Sequence, residues 1–207
     1  MDLHPGYHCL AAHTMNVYPD MKEGRVMTHT QRLAAVADIN ELSRMRILDL
    51  GCGSVHTKDG NFPPAYARLA HEAGANVLGI DIASNNGEKF SHERRDLLQQ
   101  HGLADLADES FDIVNNSSFI EPGRGRLSAG FNSPTAMHMA LQKRYWLPEF
   151  FSDRATLVLS RRELRKVAHQ LRQEVERLLV EGGRYSHGTH LYVKQEGRLA
   201  LEHEELF

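Results

Sequence analysis

Apolar residues along this chain fall into two rhythms. Ile47-Leu48 with Leu50, Val77-Leu78 with Ile80, and Phe111 with Ile113-Val114 are short runs bounded by polar or turn-forming residues, the pattern of strands covered on both faces. Longer segments repeat their apolar positions every three or four residues instead. Residues 63–73 and 28–42 read as helices, the second with Leu33, Val36, Ala37 and Ile39 towards the core. A third helix opens at the capping box Ser160-Arg-Arg-Glu163 and continues through Leu164, Val167, Leu171, Val175 and Leu178, with Gly182-Gly183 read as its end. Strands alternating with helices predict an α/β fold, a doubly wound and mostly parallel sheet with helices on both faces.

The organisation follows from the same pattern. One domain is expected, with an N-terminal arm and helix (1–44), a core (45–121), an insertion (122–159), and a helix with C-terminal strands (160–207). The arm to about Tyr18 shows no clear period. Within the insertion, residues 123–131 read as a glycine-containing loop, and Ser133-Pro134 starts a helix running to about Trp146. The arm and insertion together are expected to cover a site. The last residues suggest a hairpin, 190–195 with 198–203 around Glu196-Gly197, or else a sheet cut short.

The first strand ends in Asp49-Leu-Gly-Cys-Gly53, a turn that lets the backbone bend sharply and approach a ligand without a β-carbon in the way. A lone Gly-x-Gly is weak evidence, and the third glycine of the dinucleotide fingerprint is absent. Asp81 closes the second strand, where an acid accepts hydrogen bonds from ribose hydroxyls in a βαβ unit. Asp96-Leu97 follows, then Ser110-Phe-Asp-Ile-Val114. This series, from Arg46 to Glu121 and more loosely 178–185, resembles the class I S-adenosylmethionine-dependent methyltransferases.

The resemblance implies a methyltransferase using S-adenosyl-L-methionine. Asp49, Gly51, Cys52 and Gly53 would meet the methionine part of the cofactor, Asp81 with Ile82 the ribose, and Asp96 with Leu97 the adenine. Asn115 would line the methyl-transfer face. Candidate bases are Glu121, in a segment where the family places an acid beside the cofactor, and His138 and Tyr145 on the insertion helix. Pro122 stands where relatives often carry a histidine after that acid, and the polar loop 54–62 lengthens the first crossover. Two other readings stay open: a non-catalytic S-adenosylmethionine-binding sensor or partner subunit, and a nicotinamide-dependent oxidoreductase.

Composition changes this picture little. A chain of 207 residues with 41% hydrophobic and 25% charged residues is long enough for one domain with a core. The net charge of -3 gives no general attraction for a polyanion, and Arg161, Arg162, Arg165, Lys166 and Arg172 alternate with acids on a helix, so no nucleic-acid partner is expected. The expected partner is a small-molecule substrate. No run is long enough to span a bilayer, and the first residues lack the basic-then-apolar layout of a secretion signal, so the expectation is a cytoplasmic protein without membrane attachment. Thirteen histidines raise a metal question, but their spacing lacks the partners of familiar zinc sites and no metal is expected. Cys9 and Cys52 form no disulfide framework.

Overall fold

The computed structural model describes residues 3–55, 63–81, 83–95, 97, 102–116, 120–123, 126–129, 161–188 and 190–203, with the backbone alone at 120–123, 126–129 and 161–168. Its helices are α1 (Pro5–Val17), α2 (Glu23–Val36), α3 (Ala65–Glu72) and α4 (Arg161–Leu178). Its strands are β1 (Arg46–Leu50), β2 (Asn76–Asp81), β3 (Ser91–Arg94), β4 (Phe111–Asn116), β5 (Ile120–Gly123), β6 (Arg126–Ala129), β7 (Leu179–His187), β8 (His190–Gln195) and β9 (Arg198–His203).

Seven strands form one sheet in the order β3-β2-β1-β4-β7-β8-β9. From β3 to β7 the pairing is parallel, and β8 and β9 add an antiparallel meander. The chain moves outward from β1 through β2 to β3, then returns to the other side of β1 as β4. That reversal leaves a crevice beyond the carboxyl ends of β1 and β4, where open α/β sheets bind ligands.

Alternation along the strands sorts the core into two layers. Ile47, Val77 and Ile113 pack with α1, α2 and α3, while Leu48, Leu50, Ile80 and Val114 pack with Leu171, Val175 and Leu178 of α4. The central strands are therefore covered on both faces, as their continuous apolar runs require. The expected hairpin is present, and its turn residues Glu196 and Gly197 both adopt positive φ, 51° and 76°, as a tight two-residue connection demands.

Four elements differ from the sequence reading. The arm forms a helix, α1, because the His4 Nδ1 accepts the Gly6 amide, Pro5 takes the first helical position, and Tyr7, Leu10, Ala11 and Thr14 make a buried stripe. Far from lying loosely over a site, α1 and α2 supply a large part of the main core. α2 begins earlier than expected and stops at Val36, where the Asp38 carboxylate accepts the Asn40 amide and turns the chain. Residues 126–129 of the expected loop pair with β5 as a short antiparallel hairpin. Gly182 and Gly183 do not end α4; the helix passes directly into β7, and the glycines lie where pairing jumps from Phe111 opposite Leu179 to Ile113 opposite Arg184. A β-carbon on Gly183 would stand 2.8 Å from the Val180 carbonyl oxygen, so this bulge requires glycine. The expected insertion helix from Ser133 and the residue Ser160 lie outside the described residues.

Arg68 of α3 binds three separate parts of this layer together. Its Nε and Nη2 donate to Glu88 at 2.9 and 2.6 Å, its Nη1 donates to Asp20 at 2.8 Å, and its guanidinium lies 4.3 Å from the Tyr18 ring centre. Glu88 is almost wholly enclosed, its side chain only 4% exposed. Arg68→Met should therefore strand a buried carboxylate and cost about 3–5 kcal/mol at neutral pH in urea unfolding. A loss below about 1 kcal/mol, the size of a solvent-screened pair, would contradict this account.

Candidate functional site

The glycine turn is built as its sequence requires. Gly51 and Gly53 have φ of 64° and 92°, which side chains with a β-carbon resist. The turn is fastened to the end of β2: the Ile80 carbonyl accepts the amides of Gly51 at 2.8 Å and Cys52 at 3.1 Å. Asp81 completes the tie. Its Oδ2 accepts the Gly53 amide at 2.9 Å and its Oδ1 accepts the Ala83 amide at 2.8 Å. Asn85 donates to the Gly53 carbonyl at 2.9 Å.

Cys52 is packed rather than presented. A β-carbon on Gly79 would lie 3.0 Å from its Sγ and 2.7 Å from the Phe90 ring, and burial pushes the thiol well above its ordinary pKa. Asp49, two residues upstream of Gly51, lies beneath the turn and is 1% exposed. Asn115 donates to its Oδ1 at 2.6 Å, and the buried Oδ2 has no hydrogen-bond partner. Burial raises the Asp49 pKa to about 7; the Asn115 hydrogen bond opposes the rise and the Asp81 charge adds to it, while the Ala67 amide and the charge of Arg32 pull it down.

Strand register extends this group sideways. Asp49 stands opposite Asn115, and Asn115 opposite Ser186, so three polar side chains share the sheet face covered by α1 to α3. Ser186 is fully buried and its hydroxyl has no partner. Two further buried polar atoms without a partner come from the helices above: the Tyr66 hydroxyl of α3 and the Nδ1 of His29 of α2. Those two rings meet edge to face at 6.2 Å. Burial lowers the His29 pKa to about 3, with the charges of Arg32 and Arg25 pushing the same way.

A second polar group occupies the other face. Asn116 donates to the Tyr185 hydroxyl at 3.2 Å, and that hydroxyl lies 2.9 Å from the His187 Nδ1. Burial holds the His187 pKa near 3, helped by the neighbouring His190. The two histidines, three apart in sequence, thus pair across the β7–β8 hairpin. Among the described residues no group of three or more His, Cys, Asp or Glu could hold a metal ion, and no helix is long and apolar enough to cross a membrane.

Of the residues singled out from sequence, Asp49, Gly51, Cys52, Gly53, Asp81 and Asn115 come together at the carboxyl ends of β1, β2 and β4. Leu97 is buried in the layer facing α4, with Leu50 and Ile80. Glu121 lies in β5, described by backbone only, and Ile82, Asp96, His138 and Tyr145 lie outside the described residues. Sequence reasoning missed His29, Tyr66 and Ser186. A signal existed for the first: Arg25, His29 and Arg32 fall at helical spacing on one side of α2. None existed for Ser186, whose alignment with Asn115 depends on the bulge at Gly182-Gly183.

No protein-family model matches the chain, and no curated protein sequence matches it. One solved structure that resembles it is the Burkholderia thailandensis 1,6-didemethyltoxoflavin-N1-methyltransferase with bound 1,6-didemethyltoxoflavin and S-adenosylhomocysteine, at 13% identity and a TM-score of 0.32. The likeness covers 98% of this chain and 75% of that one. At that TM-score it carries no functional argument.

The state of Asp49 has a measurable consequence. Its folded pKa lies above its unfolded value, so unfolding releases a proton between about pH 4 and 7, and the carboxylate costs stability progressively as pH rises through that window. Asp49→Asn should thus be more stable than the unmodified chain at pH 8, by on the order of 2–4 kcal/mol, with the gain vanishing near pH 4. Urea unfolding across pH measures this. A gain independent of pH would mean that the buried carboxylate is not the cause.

Proposed function

We propose that the chain is an S-adenosylmethionine-dependent methyltransferase acting on a small molecule. The observation that carries this reading is the left-handed turn at the switch point of the sheet, set between a buried carboxylate with one unfilled acceptor and an acid at the end of the neighbouring strand. The residues fit such a cofactor. The Asp49 Oδ2 has no hydrogen-bond donor in the protein and could accept from an ammonium group, and a cation there would lower its pKa and favour the ionised form. The turn at Gly51 and Gly53 brings backbone, not side chains, to the ligand. Asp81 is assigned to the ribose hydroxyls by its place at the end of β2, and Asp96 and Leu97 to the adenine by the order of motifs.

When bound, S-adenosylmethionine supplies an electrophilic methyl group on a sulfonium. The protein's task is then to place the acceptor in line with that methyl group, exclude water and accommodate any proton released. Asn115, hydrogen-bonded to Asp49, would line the transfer face. Glu121, in the strand after β4, is assigned beside the cofactor, with His138 and Tyr145 as further candidate bases.

Calorimetric titration with S-adenosylmethionine and S-adenosylhomocysteine tests the reading. Both should bind, and NADH should not. Asp81→Ala should weaken binding by about 1.5–3 kcal/mol through the lost charged acceptor, with an added penalty from the loosened Gly53 tie. Gly51→Val should abolish it, because a branched residue resists φ near 64°. Undiminished affinity in a folded Gly51→Val protein would remove the turn from the site.

A further inference from the structure

Asp49 is enclosed at the end of β1 with little around it to hold a negative charge. Its side chain is 1% exposed, accepts a hydrogen bond from Asn115 at 2.6 Å on Oδ1, and has no donor on Oδ2. The titratable and charged groups that face it come from four places. Asp81 at the end of β2 repels a second negative charge, and Arg32 of α2 attracts one, with the smallest effect of the groups that bear on Asp49. Cys52 in the turn and Tyr66 of α3 are buried and stay neutral, their ionisation opposed by burial and by the charge of Asp49. The remaining neighbours are dipoles: the Ala67 amide near the start of α3, Asn115 of β4 and, beyond it, the Ser186 hydroxyl of β7. An ionised carboxylate in such a place has lost its water and gained little in exchange, so it keeps its proton to a higher pH than an exposed one. Its pKa of about 7 agrees.

We infer that the cofactor binds by exchange at Asp49: its ammonium group takes the place of a proton on the buried carboxyl group, and that proton leaves to solvent. The inference rests on the glycine turn being the methyl-donor site, which would bring the cofactor's ammonium group beside Asp49. The exchange balances. The O–H bond of the neutral acid breaks, its proton passes to the buffer, and the carboxylate left behind accepts from an ammonium N–H. Oδ2 is the oxygen concerned, because Oδ1 already accepts from Asn115. A cation held against the carboxylate favours the ionised form, so the pKa of the complex lies below that of the free protein. Affinity is therefore complete above the free pKa, near 7, and is lost as pH falls below it, by about tenfold per pH unit, until the lower pKa of the complex is reached. An exposed aspartate is ionised throughout that range and would give no such loss. Mild acidification thus loosens the site's hold on the amino-acid end of the cofactor, and a nucleoside without that end leaves the proton where it is.

The probes are S-adenosylhomocysteine, whose ammonium group stays charged at about pH 6, and 5′-methylthioadenosine, which keeps the nucleoside and sulfur but lacks the amino-acid part. Calorimetry at about pH 6 in phosphate and in Bis-Tris, buffers with different heats of ionisation, counts the protons released. S-adenosylhomocysteine should release close to one proton, and its affinity should fall at least tenfold from about pH 7 to pH 5. 5′-Methylthioadenosine should release almost none and bind equally well across that range. Asp49→Asn, which cannot ionise, should bind S-adenosylhomocysteine more weakly than the unmodified chain at pH 7, with no proton released and no fall in affinity towards pH 5. Release below about 0.2 proton by the unmodified chain, the same release with both probes, or release undiminished in Asp49→Asn would overturn the inference. Should Asp49→Asn fail to fold or bind too weakly to titrate, the comparison of the two probes on the unmodified chain decides. Absence of S-adenosylhomocysteine binding at every pH would overturn the methyl-donor assignment and the exchange with it. Tight binding that is independent of pH and releases no proton would overturn the exchange alone.

Discussion

The end of β2 holds the turn after β1, and the rest of the site depends on that tie. A chain leaving a parallel strand through two left-handed residues gains nothing from the conformation itself. It is fixed here because the Ile80 carbonyl takes two of its amides and the Asp81 carboxylate takes a third. The same carboxylate also takes the Ala83 amide, so the paths leaving β1 and β2 are ordered by one side chain. A group so placed serves structure before it meets any ligand. Removing it is expected to alter the shape of the site as well as its hydrogen bonds.

Asp49 shows the opposite economy. It contributes no net stability at neutral pH, because burial outweighs its bond to Asn115, and its pKa lies near 7 instead of near 4. A buried carboxylate oxygen without a hydrogen-bond partner is tolerated by the fold and would gain from a donor brought by a ligand. α2 reconciles the two requirements. Its buried positions are part of the main core, and the charge of Arg32 reaches Asp49 from the same layer. Core packing of the N-terminal helices therefore sets what stands over Asp49, and a substitution at Leu33 or Val36 would reach it through position alone.

Legibility from sequence followed the range of the interactions. β1, β2 and β4 and the turn after β1 were readable because strand, glycine turn and acid are contiguous. The hairpin of β8 and β9 was readable from Glu196-Gly197, a turn signal between two apolar-containing runs. α1 escaped because its apolar positions are interspersed with histidines, although His4-Pro5 marked its start. Gly182-Gly183 misled for a physical reason: a glycine pair after a helix ordinarily ends it, whereas here a neighbouring carbonyl excludes a β-carbon within a strand. Ser186 and Tyr66 were unreadable in principle, since their proximity to Asp49 and Asn115 arises from register and helix packing.

The placement of the histidines bears on how a proton could leave. The imidazoles of His29 and His187 are held neutral, with pKa values near 3. A group that weakly basic is a poor general base at neutral pH. Strand alternation separates them further: His187 belongs with Asn116 and Tyr185 on the α4 face, across the sheet from Asp49, Asn115 and Ser186. Neither imidazole is therefore matched to taking a proton at neutral pH, and any base would have to be another group.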